Sequence, residues 1–471
     1  MPKICSVCTI SCIVLLPSIL FFAGCTSGKP SSSAASANVN VRVSDPATCS
    51  GPKGAFSHVY VTITDVQISA SGNSDSGWID LTPTLAQNPQ QVDLLGPAGG
   101  QCFLATLGAT TALQPDSYQQ IRVMLASDNT VVPNNNCGGT ANCVMMSSNP
   151  NTAQPLLLSS QAHTGIKIPS GQIGGGQFTI AAGETKDLDI DFNACESIVA
   201  EGNGQFRLKP VLHAGEVSLT SASVNGTIVD SATNQGISGG ATVVALEQKD
   251  SSGVDRVVMQ TVTDSSGVFS FCPVAAGTYD VVVAAVSGAQ VAYAVTVITG
   301  VQPGNALGNV PLTAQSGMST APASITGEVT TSTGTAATAA DISLSALQPI
   351  SSSLMITVPL AGQSATSANL TTAAGSTCPA NTACASYTLS VPAINPSVGA
   401  FVAGPIQKPA APMAGPVNYT IDAFAFTADG TGTADCNPSE MKTSSTATNN
   451  PLTVTSGQTT TAATLVFSGC Q

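Results

Sequence analysis

Charge is scarce in this 471-residue chain: only 8% of its side chains are charged, and aromatic residues make up 4%. So few Lys, Glu and Arg argue against helix bundles, which use those residues heavily. With 13 Lys and Arg against 26 Asp and Glu, the net charge of −13 argues against a phosphate-binding surface and so against nucleic acid as a partner. Three histidines and one tryptophan leave little material for metal centres or aromatic sugar platforms. Between Ile342 and Gln407 no side chain is charged, yet Ser, Thr, Pro and Asn interrupt that stretch too often for a membrane span. Glycine and proline are plentiful, at 44 and 29. That abundance, with alternating apolar residues, predicts short strands joined by many turns, an all-β chain.

The amino terminus has its own logic. Lys3 is the only charge before Lys29, and Ile10 to Ala23 is almost wholly apolar. A short basic start, an apolar core and small residues at a cut describe an export signal over residues 1–24. Phe22-Ala23-Gly24-Cys25 resembles the lipobox of bacterial lipoproteins, with Phe in the first place where Leu is more usual. The resemblance implies cleavage before Cys25, a diacylglycerol on its sulfur and acylation of the new amine. At about 0.8 kcal/mol per buried methylene, several acyl chains anchor a protein firmly. The Ser/Ala-rich residues 25–37 then form a flexible tether with a reach of roughly 20 Å. Ser and Thr after the cysteine, by the same resemblance, favour the outer membrane.

Removing Cys5, Cys8 and Cys12 with the signal and assigning Cys25 to lipid leaves ten cysteines, an even number in an exported chain. "CGGTANC" (Cys137–Cys143) and "CPANTAC" (Cys378–Cys384) share one spacing, with Gly, Asn and Pro to reverse the chain between them. Both are expected to be local loop clips. Cys436–Cys470 is a third candidate bridge and Cys49–Cys102 a fourth. Cys195 and Cys272 then join across a domain boundary or stay as buried thiols; spacing alone leaves both open.

Three regions of sheet follow. In residues 38–220, "HVYVTITDVQISA" places Val59, Val61 and Ile63 on one face and then slips register near Asp65, as a bulge does. "YQQIRVML" and "TKDLDIDF" alternate likewise, and "DFNACESIV" breaks the pattern for one helical turn. The stretches "HTGIKIPSGQIGGGQFTIAAGETKDLDIDFNACESIV", "GNGQFRLKPVL", "GWIDL" and "VDLL" resemble a family of uncharacterised bacterial lipoproteins defined only as a domain of unknown function, which implies no activity. Residues 223–313 contain "VNGTIVDSATNQGISGGATVVAL" and "TVTDSSGVFSFCPVAAGTYDVVVAA", which resemble the carboxypeptidase regulatory-like, transthyretin-related sandwich. Asp264 to Gly267 reads as its hairpin turn, and Phe269 and Phe271 share a face. After a linker at 314–322, residues 323–471 repeat this region about one hundred positions on. "SVNGTIVDSATN" matches "SITGEVTTSTGT", "ATVVALEQ" matches "ADISLSALQ" and "TYDVVVAAV" matches "NYTIDAFAF". The fold expected is therefore three tandem β-sandwiches of transthyretin or immunoglobulin type, the first two fixed to one another. Tyr118, Tyr279 and Tyr419, each at a turn that starts a strand, suit a structural tyrosine corner.

Catalytic signals are incomplete. His213-Ala214-Gly215-Glu216 spells the H-x-x-E of a zinc carboxypeptidase, but no histidine follows it. Gly236-Ile237-Ser238-Gly239-Gly240 fits G-x-S-x-G without the later histidine or the strand-to-helix turn an elbow needs. "GQIGGGQ" (Gly171–Gln177) lacks the G-K-[ST] ending of a phosphate loop and reads as a flexible hairpin. Asp187, Asp189 and Asp191 alternate on one strand; a row of carboxylates is a weak Ca²⁺ candidate and more simply the wet side of that strand. Trp78, in "SGWIDL", is a weak ligand candidate and more simply core. No cofactor is expected. The sequence thus predicts a non-catalytic, lipid-anchored cell-envelope scaffold for binding or adhesion, with an envelope protein or a glycan as partner. The alternatives are a carbohydrate-binding lipoprotein, on the kinship of the regulatory-like sandwich with starch-binding folds, and an accessory to an extracellular enzyme.

Overall fold

A computed structural model describes residues 36–470 apart from 45–49, 52–53, 73–75, 96–103, 128–129, 159–164, 193, 201–204, 209, 211, 218–222, 265, 272–273, 275, 361–368 and 427–435. Cys25, Cys49, Cys102 and Cys272 lie outside the described residues, as does nearly all of the signal and tether. The protein is all-β. Helix among the described residues is limited to the turn Ala194–Ser197 and two 3-10 turns, Ser170–Gln172 and Gly174–Gly176. No helix among them is long and apolar enough to cross a membrane.

In the first region a four-stranded sheet runs Leu212–Val217, Thr185–Phe192, Ala37–Ser44, Ala105–Leu113, with the central pair parallel. A larger sheet centred on Gly54–Ser69 faces it. The alternation of apolar residues decides which sides meet: Val39, Val41, Leu188 and Ile190 from the small sheet pack with Val59, Val61 and Ile63 from the large one, all fully buried. The register slips between Ile63 and Asp65, where the alternation in sequence breaks.

The repeat in sequence is a repeat in topology. Val224–Asp230 pairs antiparallel with Val268–Phe271 and parallel with Ala306–Leu312. Ala323–Thr331, its counterpart, pairs antiparallel with Ala383–Val391 and parallel with Thr459–Thr461 and Leu465–Phe467. Opposite these, Ala241–Lys249 pairs antiparallel with Tyr279–Val286, as Asp341–Ser351 does with Thr420–Phe426. Gly267, at φ +89°, closes the tight turn at 264–267 while Asp264 Oδ1 accepts the Ser266 and Val268 amides. The turn is not the hairpin expected: the strands it joins, Val254–Val262 and Val268–Phe271, do not pair and belong to different sheets. Phe269 and Phe271 then meet edge to face at 5.7 Å in the second core.

The two copies are joined in a way that the periodicity does not convey. Four strands of the second region lie inside one ten-stranded sheet, flanked by third-region strands on both sides. Val254–Val262 pairs parallel with Leu354–Thr357, and Thr296–Val301 pairs parallel with Ser397–Ala400. One core collects Val243, Ala245 and Val282 from the second region with Ile325, Leu344 and Phe467 from the third. The 314–322 segment, expected as a linker, is pinned: Gln315 is buried, donates to Ala321 O and Ser456 Oγ, and accepts from the Ala393 amide.

Candidate binding site

The glycine run Gly171–Gln177 is a packed wedge and not a flexible hairpin. Its two 3-10 turns press on the ten-stranded sheet from the first region. A Cβ on Gly174, or on the neighbouring Gly215, would sit 2.5 Å from the Val258 side chain, and one on Gly171 would collide with the Phe424 ring. Glycine is needed here for close approach of backbone to a neighbouring sheet. Gln172 Nε2 completes the contact by donating to Ser343 Oγ at 2.7 Å.

The same docking corrects the reading of the carboxylate row. Both faces of the strand Thr185–Phe192 are covered from Leu188 onward, and Asp189 and Asp191 are only 1% and 2% exposed, while Asp187 stays partly exposed. The row is not a wet side, because its far half lies under the second region: Asp191 Oδ2 accepts the Gln260 amide at 2.9 Å. Each carboxylate has its own partner. Asp187 takes Asn40 and Arg42, while Asp189 takes Ser44 Oγ at 2.6 Å. Burial lifts Asp189 to about 7 in spite of Ser44 and Arg42. Among the described residues no three His, Cys, Asp or Glu side chains gather as a metal site.

His213 and Glu216 do not converge. His213 is buried, 3.9 Å from Asp191 Oδ2, and burial pushes its imidazole down to about 4. Glu216 is exposed and pairs with Lys186 at 2.6 Å. Their odd spacing on one strand sends them to opposite faces. Gly236–Gly240 lies in the loop between two strands; Gly240 approaches the Val286 carbonyl too closely for any Cβ. Trp78 is half-buried and is no core residue: the Arg122 guanidinium lies 4.4 Å over its ring, itself held by Gln67. Tyr118 donates to Gln114 O at 2.7 Å and Tyr419 to Pro392 O at 2.8 Å, both structural corner bonds. Among the described residues three disulfides close, Cys137–Cys143, Cys378–Cys384 and Cys436–Cys470. Cys195 sits on the helical turn, but its side chain is outside the described set.

Where the first region meets the third, a cleft of about 460 Å³ opens. Gly72, Gln119 and Ser170 form one wall; Phe424 and Asn437 to Glu440 form the other. Its third-region wall is tied down from several sides. The Cys436–Cys470 bridge precedes Asn437, the Asn437 amide donates to Gly469 O, and Ser439 Oγ donates across the cleft base to Gly72 O at 2.8 Å. Beneath lies a buried ion network. Arg256, 2% exposed, donates to Asp250 at 2.9 Å, to Asp422 at 2.7 Å and to Glu440 at 3.1 Å. Lys442 Nζ reaches Glu440 at 2.7 Å. Burial pushes the Asp422 carboxyl up, and the Arg256 charge opposes it. The cleft thus offers amides, hydroxyls and one neutralised carboxylate, which suits a neutral polar ligand better than an anion.

Sequence reasoning passed over Arg256, Asp422, Glu440 and Lys442. A signal was there: "VDRVVMQTV" carries an arginine in mid-strand, and a cation in an apolar strand of a charge-poor chain asks for buried partners.

Residues 36–210 match the family model described as Domain of unknown function (DUF4382), so a domain of that family is present. No curated protein matches the sequence. Among solved structures, the chain is similar to the Bacillus anthracis TIE protein at 9% identity and a TM-score of 0.16, over 92% of this chain and 50% of that one. A streptococcal ancillary pilin matches at 10% identity and a TM-score of 0.16, over 60% of this chain and 63% of its own. The shaft pilin SpaA from Lactobacillus rhamnosus GG matches at 12% identity and a TM-score of 0.15, over 60% and 99%. The chain thus spans about half the length of the first of these and under two thirds of the second.

Proposed function

We propose that the protein is a non-catalytic cell-envelope lipoprotein, held to the outer membrane through Cys25 and acting as a rigid scaffold for binding or adhesion. The observation that carries the scaffold half is the ten-stranded sheet shared by the second and third regions, on which the first region is docked by its glycine wedge. A body built this way holds its three regions in fixed relation to one another, which a surface scaffold requires. Three disulfides support an oxidising compartment. The lipobox supports the anchor, and the regulatory-like resemblance of residues 223–313 supports a structural module with no chemistry of its own. Cys25→Ser moves the protein from the membrane to the soluble fraction; continued membrane association of that variant overturns the anchor. Protease shaving of intact cells separates a surface from a periplasmic position.

One observation favours carbohydrate as the ligand class: the polar cleft between Gln119 and Asn437. Trp78, with a ring face covered by Arg122, is a poorer candidate for sugar contact. On a glycan array, binding that is lost in Asn437→Ala and Gln119→Ala but kept in Trp78→Ala supports the cleft. Binding lost only in Trp78→Ala moves the site to that ring.

A further inference from the structure

A second set of buried acids sits at the seam of the two copies and takes no part in the cleft. Glu247 and Asp255 are 0% and 1% exposed, on adjacent antiparallel strands of the ten-stranded sheet. Asp280 faces Glu247 directly in the register of the next strand. By period-two alternation the three share the face that carries Ala245 and Val282 into the common core. Glu247 Oε1 and Asp255 Oδ2 find no donor. As anions Asp255 and Asp280 repel each other, and a proton held on the group relieves that repulsion. The surrounding charges do not neutralise the group. Lys249, on the same face, is exposed and screened by water. Asp250 adds a like charge, and Arg256 is committed to Asp250, Asp422 and Glu440.

The acids are also wired into the seam. Asp255 is the register partner of Ile356, on the third-region strand Leu354–Thr357. The Thr357 amide donates to Glu247 Oε2 at 3.2 Å, and Thr357 Oγ1 donates to the Asp255 carbonyl at 2.7 Å. This strand pairing is short, two register positions with the Met355 amide on Gly253 O beside them.

We infer that Glu247, Asp255 and Asp280 form a proton-held latch between the second and third regions, closed while the cluster keeps a proton and loosened when it loses it. Burial is the leading cause of each raised carboxyl, with mutual repulsion adding to it in Glu247 and Asp255; Asp255 is pushed up to about 8. The sign follows from proton counting. Between the ordinary carboxyl range near 4 and the raised folded values, the folded state holds protons that the unfolded state has released, so stability falls as pH rises through that window. The seam is tightest in acid, already weaker at neutrality and weakest in mild alkali.

Hydrogen exchange of the full-length chain, corrected for the intrinsic pH dependence of exchange, tests this. Between about pH 6 and about pH 9, protection of Leu354–Thr357 should fall about tenfold or more. Protection of Ala323–Thr331, paired within its own copy, should hold. Asp280→Asn, a change at a partly exposed position, should remove most of the loss, and so should Glu247→Gln. Protection that does not change with pH overturns the latch without the need for any variant, and so does an undiminished loss in both variants. Restoration at high pH by millimolar Ca²⁺ also overturns it, since the cluster would then be a cation site and not a proton-held one.

Discussion

The two seams of this molecule are made of different materials. The first region meets the ten-stranded sheet through side chains and missing side chains: Gly171, Gly174 and Gly215 clear space for Phe424 and Val258, and Gln172 and Asp191 add single hydrogen bonds. The third region meets the second through the backbone, with two parallel strand pairings and one shared core. A side-chain seam depends on each residue that makes it and can be undone by one methyl group. A backbone seam tolerates substitution at most positions, and its weak points are the charges buried beside it.

That contrast orders the expected losses. The largest should come from Arg256→Met, which leaves Asp422 buried without its main partner and costs about 3–5 kcal/mol in denaturant unfolding. The double variant with Asp422→Leu should recover much of that. Recovery of nothing would show that the network is held by packing and not by charge.

Next is Gly174→Val, which forces a branched side chain against Val258. Overpacking of this kind costs about 1–3 kcal/mol. Its mark should be specific: faster proteolysis of the 171–177 segment, with the second and third regions unaffected. Equal loosening of all three regions would mean that the wedge is no separate seam.

The smallest effect separates the disulfides. Cys436–Cys470 closes a 34-residue separation and Cys378–Cys384 one of 6. Loop-closure entropy alone makes the first the more stabilising by about 1.5 kcal/mol. Paired Cys→Ser variants of each bridge, compared by melting, should keep that order.

The sequence disclosed what lies within a repeat far better than what lies between repeats. The bulge at Asp65, the tight turn at 264–267, the paired phenylalanines and the duplicated strand order are all written in alternation, turn residues and self-similarity. Strand pairing across copies is made by amides and carbonyls that every residue possesses, so Val254–Val262 carries no mark naming Leu354–Thr357 as its neighbour. Exposure was misjudged for a related reason. The row Asp187, Asp189 and Asp191 has the alternation of a half-wet strand, and only a partner domain, through Gln260, makes its second side an interior. Glycines 171–176 likewise look like slack in the chain when read alone; their spacing makes sense once Val258 and Phe424 occupy the space beside them. Trp78 was set apart by Arg122, whose approach no local pattern announces.

The most direct test of the account is amide exchange at three positions that bind the copies together: Met355 to Gly253 O, Ser397 to Val295 O, and Phe401 to Thr299 O. At mildly acidic pH, where the carboxyl cluster keeps its proton, these amides should exchange only with global unfolding, as slowly as Val283 inside the second region. Exchange of all three from the native state, while Val283 stays protected, would mean that the copies are separate domains and that the shared sheet does not exist.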